Sequence, residues 1–204
     1  PRTAAAISRI GPDAFGIAPF SEDNDPNYKF RCEVRAENRD GRPHAVRLHI
    51  DWGDRVFNRY RRRLYLKHDE ASDWTAVQMQ PGRETASGQA VLDPGHTTIA
   101  AQPAYNWGDN ERLFRSLAAR PGLATETIGH TREGRPIRQA VLDGPRQTGR
   151  HRTIALVCRV HPYETAGSYC AEGILEAVAR RPGFLQNELG GRRLHLLPMA
   201  NPDG

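Results

Sequence analysis

Lysine is nearly absent: Lys29 and Lys67 are the only two, so arginine carries the surplus that gives the chain a formal net charge of +5. Arginine-rich, alanine-rich composition reads as the mark of a GC-rich genome. Aspartate and glutamate are interspersed throughout, which describes a solvated surface of mixed sign rather than a basic stripe. Nucleic acid is therefore not an expected partner. Cysteine is scarce as well. Cys32, Cys158 and Cys170 show no CxxC spacing, which excludes a disulfide framework and a cysteine zinc site and makes a reducing cytoplasm the simplest compartment. No apolar run approaches the roughly 20 residues that span a bilayer, so no membrane partner is expected. The opening residues, Pro1-Arg-Thr-Ala-Ala-Ala6, lack a signal-peptide pattern, and a start on Pro1 rather than Met suggests a trimmed beginning. There is no internal repeat and no low-complexity segment.

What is present is a polar globular composition, 38% hydrophobic and 26% charged over 204 residues, enough for one large domain or two small ones. The first hundred residues alternate. Tyr28 to Glu37 places Tyr28, Phe30, Cys32, Val34 and Ala36 on one face; Asp40-Gly41 turns the chain; Val46, Leu48 and Ile50 resume the pattern. Further segments at Tyr60–Leu66, Trp74–Met79, Glu84–Leu92 and Thr97–Gln102 bring the total to about seven short strands. That number at this spacing predicts an antiparallel β-sandwich over residues 1–100. Arg59, Arg61, Arg62 and Arg63, interleaved with Tyr60 and Tyr65, fit the charged solvent face of an edge strand better than a single-strand nucleic-acid platform. Asp51-Trp-Gly-Asp54 reads as a packed turn.

The pattern changes between residues 95 and 104, where Asp93-Pro-Gly95 and Pro103 mark a boundary. Leu113, Phe114 and Leu117 then recur at helical spacing, with Asp109 or Asn110 as the cap and Pro121-Gly122 as the stop. Leu123–Gly129 and Arg135–Leu142 form a hairpin, and Asp143–Arg150 a loop. Thr153 to Val160, apolar except for Arg159, predicts a strand buried on both faces at the centre of a sheet. A helix over Ala166–Arg180, ended by Pro182-Gly183, and a strand over Arg193–Met199 complete a βαβ unit with parallel strands. His161 and Asn201 thereby fall at C-terminal strand ends on one edge of the sheet, where open α/β sheets bind ligands.

His161 and Glu164 sit on the turn leaving the apolar strand. An imidazole nitrogen and a carboxylate oxygen are the donors a zinc site uses. The spacing alone is weak evidence, since a His followed three residues later by Glu should occur about once by chance in this composition. His130 and Glu133 show it too, in a polar hairpin turn, and are taken as the chance occurrence. A structural alternative for Glu164 is a helix start, where its charge favours the positive end of the dipole.

Cys158-Arg-Val-His-Pro-Tyr-Glu-Thr-Ala-Gly-Ser168, followed after a helix by Leu197-Pro-Met-Ala-Asn-Pro-Asp-Gly204, resembles the zinc metallocarboxypeptidases, and most of all the cytosolic carboxypeptidase branch and its bacterial relatives. Thr127 to Ile137 is similar to the hairpin ahead of the family's metal strand. The resemblance implies a β-sandwich N-terminal domain (1–100) followed by the N-terminal part of an α/β carboxypeptidase domain with a mixed sheet (101–204). It implies zinc as cofactor, His161 and Glu164 as the first two ligands, and the C-terminus of a peptide or protein as substrate, with the basic surplus pointing to acidic C-terminal residues. Tyr163 departs from the small residue the family usually carries there.

The family's third ligand, its carboxylate-gripping arginines and its general-base Glu have no matching positions, so the catalytic residues are expected beyond Gly204. His195 lies within a strand and is not assigned as the third ligand. The 204 residues alone are accordingly expected to be poorly active, and the sheet's unpaired edge leaves room for further chain or a partner, including a second copy. Two rival functions share these features. One is an amidohydrolase that deacylates N-acyl amino acids on the same kind of fold, against which the sandwich argues. The other is a non-catalytic binding module that holds no metal at His161.

Overall fold

The computed structural model describes residues 5–20, 32–53, 62–69, 73–118, 120, 123–143, 153–181 and 192–204. The expectations placed on Tyr28–Arg31, on Arg59 to Arg61, on the Pro121-Gly122 and Pro182-Gly183 stops and on the Gly144–Arg150 loop lie outside these residues. The chain divides into two compact units, Pro1–Pro103 and Ala104–Gly204.

In the first unit, period-2 alternation produces two sheets. One takes β1 (Ala5–Gly11), β2 (Ala14–Pro19), β4 (His44–Asp51), β8 (Thr85–Leu92) and β7 (Gln80–Pro81) in the order β1-β2-β4-β8-β7. The other takes β3 (Glu33–Asn38), β9 (Gly95–Ala100), β5 (Arg63–His68) and β6 (Thr75–Gln78) in the order β3-β9-β5-β6. One buried cluster draws on both sheets: Val46, Leu48, Ile50, Ala86 and Ala90 from the first, Val34, Leu64, Leu66 and Ile99 from the second. These are the alternate positions of their strands, as the pleat requires. Pairing is antiparallel except between β2 and β4, which run parallel. The β1–β2 hairpin lies outside the segments that alternation picked out, and the nine strands of the described residues exceed the seven expected. Gly88 stands opposite Leu48 on the inner face, where a Cβ would come within 2.6 Å of the Met79 sulfur, so the sulfur fills the space a side chain would take. The Asp51-Trp-Gly turn is packed, as read: Trp52 is buried, its N–H donates to Glu84 O at 3.0 Å, and Asp51 Oδ1 accepts from Gly53 N.

The second unit is a four-stranded mixed sheet, order β10-β11-β13-β12, carrying two helices. Its strands are β10 (Ala124–His130), β11 (Pro136–Asp143), β12 (Thr153–Val157) and β13 (Arg193–Leu197); the helices are α1 (Trp107–Leu117) and α2 (Thr165–Arg180). β12 and β13 pair in parallel across α2, and β10, β11 and β13 pair antiparallel. Ala140, Leu142, Leu194 and Leu196 share one sheet face and pack with Leu113, Phe114 and Leu117 of α1 and Ala171 and Leu175 of α2. On the other face Gln139 bridges two strands, accepting at Oε1 from His195 Nδ1 at 3.2 Å and donating from Nε2 to Glu126 Oε1.

Two expectations are corrected. The cap of α1 is Asn106, not Asp109 or Asn110: Asn106 Oδ1 accepts from Asp109 N while the Asp109 carboxylate accepts from Asn106 N, a reciprocal capping box. β12 was placed at the centre of the sheet, yet among the described residues it is the outermost strand, with Val157 52% and Ile154 40% exposed. An apolar run records what a strand is made of, and its position is decided by which partner it meets. The inner position belongs to β13.

Candidate metal centre

The site is built where two neighbouring parallel strands end. The ladder between them runs past their last residues: Cys158 N donates to Leu197 O, Ala200 N to Cys158 O, and Asn201 N to Arg159 O at 2.9, 2.9 and 3.1 Å. Asn201 Nδ2 also donates to Val160 O at 3.2 Å. The two exit loops are thereby tied together, and His161 and Asn201 come to one edge of the sheet. α2 starts immediately after Glu164, and Ser168 on its first turn, fully buried, donates to Pro198 O at 2.6 Å.

The His161–Glu164 turn is closed by its own bonds. Glu164 N donates to His161 O at 3.1 Å, and His161 N to Glu164 Oε2 at 3.2 Å. Glu164 Oε1 lies 3.0 Å from His161 Nδ1. Glu164 is the N-cap residue of α2, but its side chain makes no capping bond and turns back toward His161. The ring hydrogen bond from His161, then the one from the His161 backbone, hold the Glu164 carboxyl below the usual carboxylate range against a smaller opposing effect of burial. The imidazole also stacks on Tyr163, with ring centroids 5.7 Å apart and planes 10° from parallel.

Arg159 supports this turn from within the fold. It is buried, adopts a left-handed backbone at φ 53°, and donates from Nε to Pro162 O at 3.1 Å. Gly204 closes from the other side: a Cβ there would approach Pro162 Cγ to 2.6 Å. A clasp joins the Asn-Pro-Asp-Gly end to the β10–β11 turn. Asp203 accepts from Thr131 Oγ1 and Arg135 Nη1 at 2.8 Å each and from Glu133 N at 3.2 Å. Arg135 also donates to Pro202 O. Burial raises the Asp203 carboxyl, and the bonds from Thr131, Glu133 and Arg135 together with the Arg135 charge overcome it and leave the group low. Glu133, of the second His-x-x-Glu, spends its carboxylate on Arg135 at 2.8 Å.

The donor atoms at His161 and Glu164, an imidazole nitrogen and a carboxylate oxygen, are of the kinds a zinc ion takes. Ligands about 2.0–2.2 Å from a tetrahedral zinc lie roughly 3.4 Å apart, and the two atoms here, 3.0 Å apart as hydrogen-bond partners, need open by only a few tenths of an ångström to face one ion. Among the described residues no group of three or more His, Cys, Asp or Glu side chains converges, and His195 engages Gln139. The roles of Tyr163, Arg159, Gly204 and the Asp203 clasp escaped the sequence reading, where Arg159 stood out as the one charge in an apolar run and Tyr163 as a departure from the family's small residue.

Residues 111–204 match the family model described as zinc carboxypeptidase. The fold of the whole chain is similar to a metallo-carboxypeptidase from Burkholderia cenocepacia (TM-score 0.77, 18% identity, 98% of this chain and 54% of that one). It is equally similar to a metallo-carboxypeptidase from Pseudomonas aeruginosa solved in complex with (2-guanidinoethylmercapto)succinic acid (TM-score 0.77, 19% identity, 97% and 52%). An uncharacterised protein of Zymomonas mobilis is 28% identical over 101 residues, 49% of this chain and 25% of its own length. The chain thus spans about half the length of the solved structures it matches and a quarter of that relative. The resemblance to the zinc metallocarboxypeptidases and the expected fold class are both borne out.

Proposed function

We propose, from the zinc-carboxypeptidase match over residues 111–204, that this chain is the N-terminal portion of a zinc metallocarboxypeptidase that removes C-terminal residues from peptides or proteins. The observation that carries the reading is the meeting of His161 Nδ1 and Glu164 Oε1 at the ends of two tied parallel strands. When bound, zinc supplies Lewis acidity toward a carbonyl oxygen and makes water nucleophilic near neutral pH. The chain's own part is to hold the two donors. Glu164 stays ionised through its bonds from His161, and the turn is fixed by Arg159 and by Gly204 against Pro162. His161 and Glu164 are two of the three protein ligands a catalytic zinc takes, and among the described residues no third such side chain joins them. The motif around Arg159, His161 and Glu164 supports the cytosolic branch, and the absence of any disulfide at Cys32, Cys158 or Cys170 fits a cytoplasmic setting. The net positive charge supports acidic C-terminal residues as the preferred substrates.

Metal analysis of the full-length gene product, paired with release of the C-terminal residue from model peptides, tests this reading. About one zinc per chain is expected, with metal and release both lost in His161→Ala. Peptide release that survives His161→Ala overturns it.

A further inference from the structure

We infer that Tyr163 is a positioning residue for the metal centre, holding the His161 imidazole by its ring face in the orientation in which Nδ1 meets the ion. The inference rests on the reading that His161 and Glu164 are metal ligands.

The need for such a residue follows from exposure. The His161 side chain is 60% exposed, and a histidine on an exposed turn has several staggered rotamers open to it. Among the described residues two contacts hold the ring: Glu164 Oε1 at Nδ1, and the face of Tyr163. They differ in what happens when a cation arrives. The first joins the two donor atoms through the Nδ1 proton, so it gives way when the ring passes to its Nε2–H tautomer by exchange with solvent and both atoms turn lone pairs to the ion. The second uses the ring face and no lone pair, so it persists. An offset, near-parallel pair with centroids 5.7 Å apart lies within the range in which aromatic rings attract. Coordination draws electron density from the imidazole, and an electron-poor ring is held more strongly by the electron-rich face of a phenol.

The backbone keeps the two rings in place. His161 and Tyr163 flank Pro162, whose φ is fixed by its ring. Pro162 O accepts from the buried Arg159 Nε, and Gly204 lies so close that a Cβ would reach Pro162 Cγ at 2.6 Å. With Pro162 pinned on both sides, side chains at 161 and 163 leave the turn together. A residue without a side chain at 163 would remove the ring-face contact and leave, of the two contacts seen among the described residues, the one that the ion replaces.

Zinc affinity by chelator competition, the cobalt(II) absorption spectrum and the metal-free melting temperature, measured on the full-length gene product, test the assignment in Tyr163→Phe, Tyr163→Leu and Tyr163→Ser. Tyr163→Phe keeps the face and is expected to bind zinc within about twofold of the parent. Tyr163→Leu and Tyr163→Ser are expected to bind about 2- to 12-fold more weakly, the range of an aromatic pair converted at tenfold per 1.4 kcal/mol. Their cobalt bands should shift while the metal-free melting temperature stays at the parent value. Parent-like affinity in both Tyr163→Leu and Tyr163→Ser overturns the assignment, as does equal loss in Tyr163→Phe, which would place the effect in the hydroxyl. A parent protein that takes up neither ion refutes the metal reading itself, and that outcome is distinct from the other two.

Discussion

The side chains that shape the site act through bonds across long stretches of chain. Asp203 shows this most clearly, since Thr131 and Arg135 lie about seventy positions before it. Its carboxyl is low in the folded state, so the clasp contributes stability that is present above the unfolded pKa and is lost as pH falls through the folded one. Asp203→Asn is therefore expected to lower the urea midpoint near pH 7, and the difference from the parent to vanish as the solution is acidified past the folded pKa; parallel urea titrations across pH provide the measurement. No reading of sequence could pair Asp203 with Arg135, because nothing local distinguishes it from other acids in turns. His161 and Glu164 were legible because they share a turn and follow an apolar strand. Tyr163 was visible only as a departure from the small residue usual in the family, and its stacking on His161 is a matter of side-chain direction.

Elements were legible in kind and less so in their ends. The helical stripe Leu113, Phe114, Leu117 identified α1, and all three are buried, but the cap is Asn106 and not Asp109 or Asn110, so the helix begins earlier, at Trp107. The signature was present as an Asn followed three residues on by an acid. It was missed because Trp107 and Gly108 between them look like loop. Removing a cap of this type costs about 1 kcal/mol, so Asn106→Ala should lower stability by that amount in chemical unfolding, with amide exchange of Gly108 and Asp109 quickening first. Strand β12 was correctly typed and wrongly placed. Ile154 to Val157 suits a central strand and an edge strand equally, and the register with β13, Ala155 opposite His195 and Val157 opposite Leu197, is information the segment does not hold.

At the scale of the molecule, alternation in the first hundred residues and the strand–helix–strand order after it carried the fold class. The β2–β4 parallel pairing was beyond them, since pairing partners are chosen in three dimensions. Each compact unit has a core of its own, one around Leu48 and Ile50, the other around Leu175 and Leu196. Leu196 is fully buried between the sheet and both helices. Leu196→Ala is expected to cost about 2–5 kcal/mol and to speed hydrogen exchange at β11, β13 and α2, read residue by residue by NMR.

The outer position of β12 among the described residues has a consequence for how the sheet can grow. Natural edge strands are guarded by lysine, proline or a bulge. Ile154-Ala-Leu-Val157 carries none of these, and its far side meets no strand among the described residues. The backbone edge of Ile154-Ala-Leu-Val157 is thus open to pairing with a further strand, so the four residues that lead to His161 also mark the side on which this sheet can be extended.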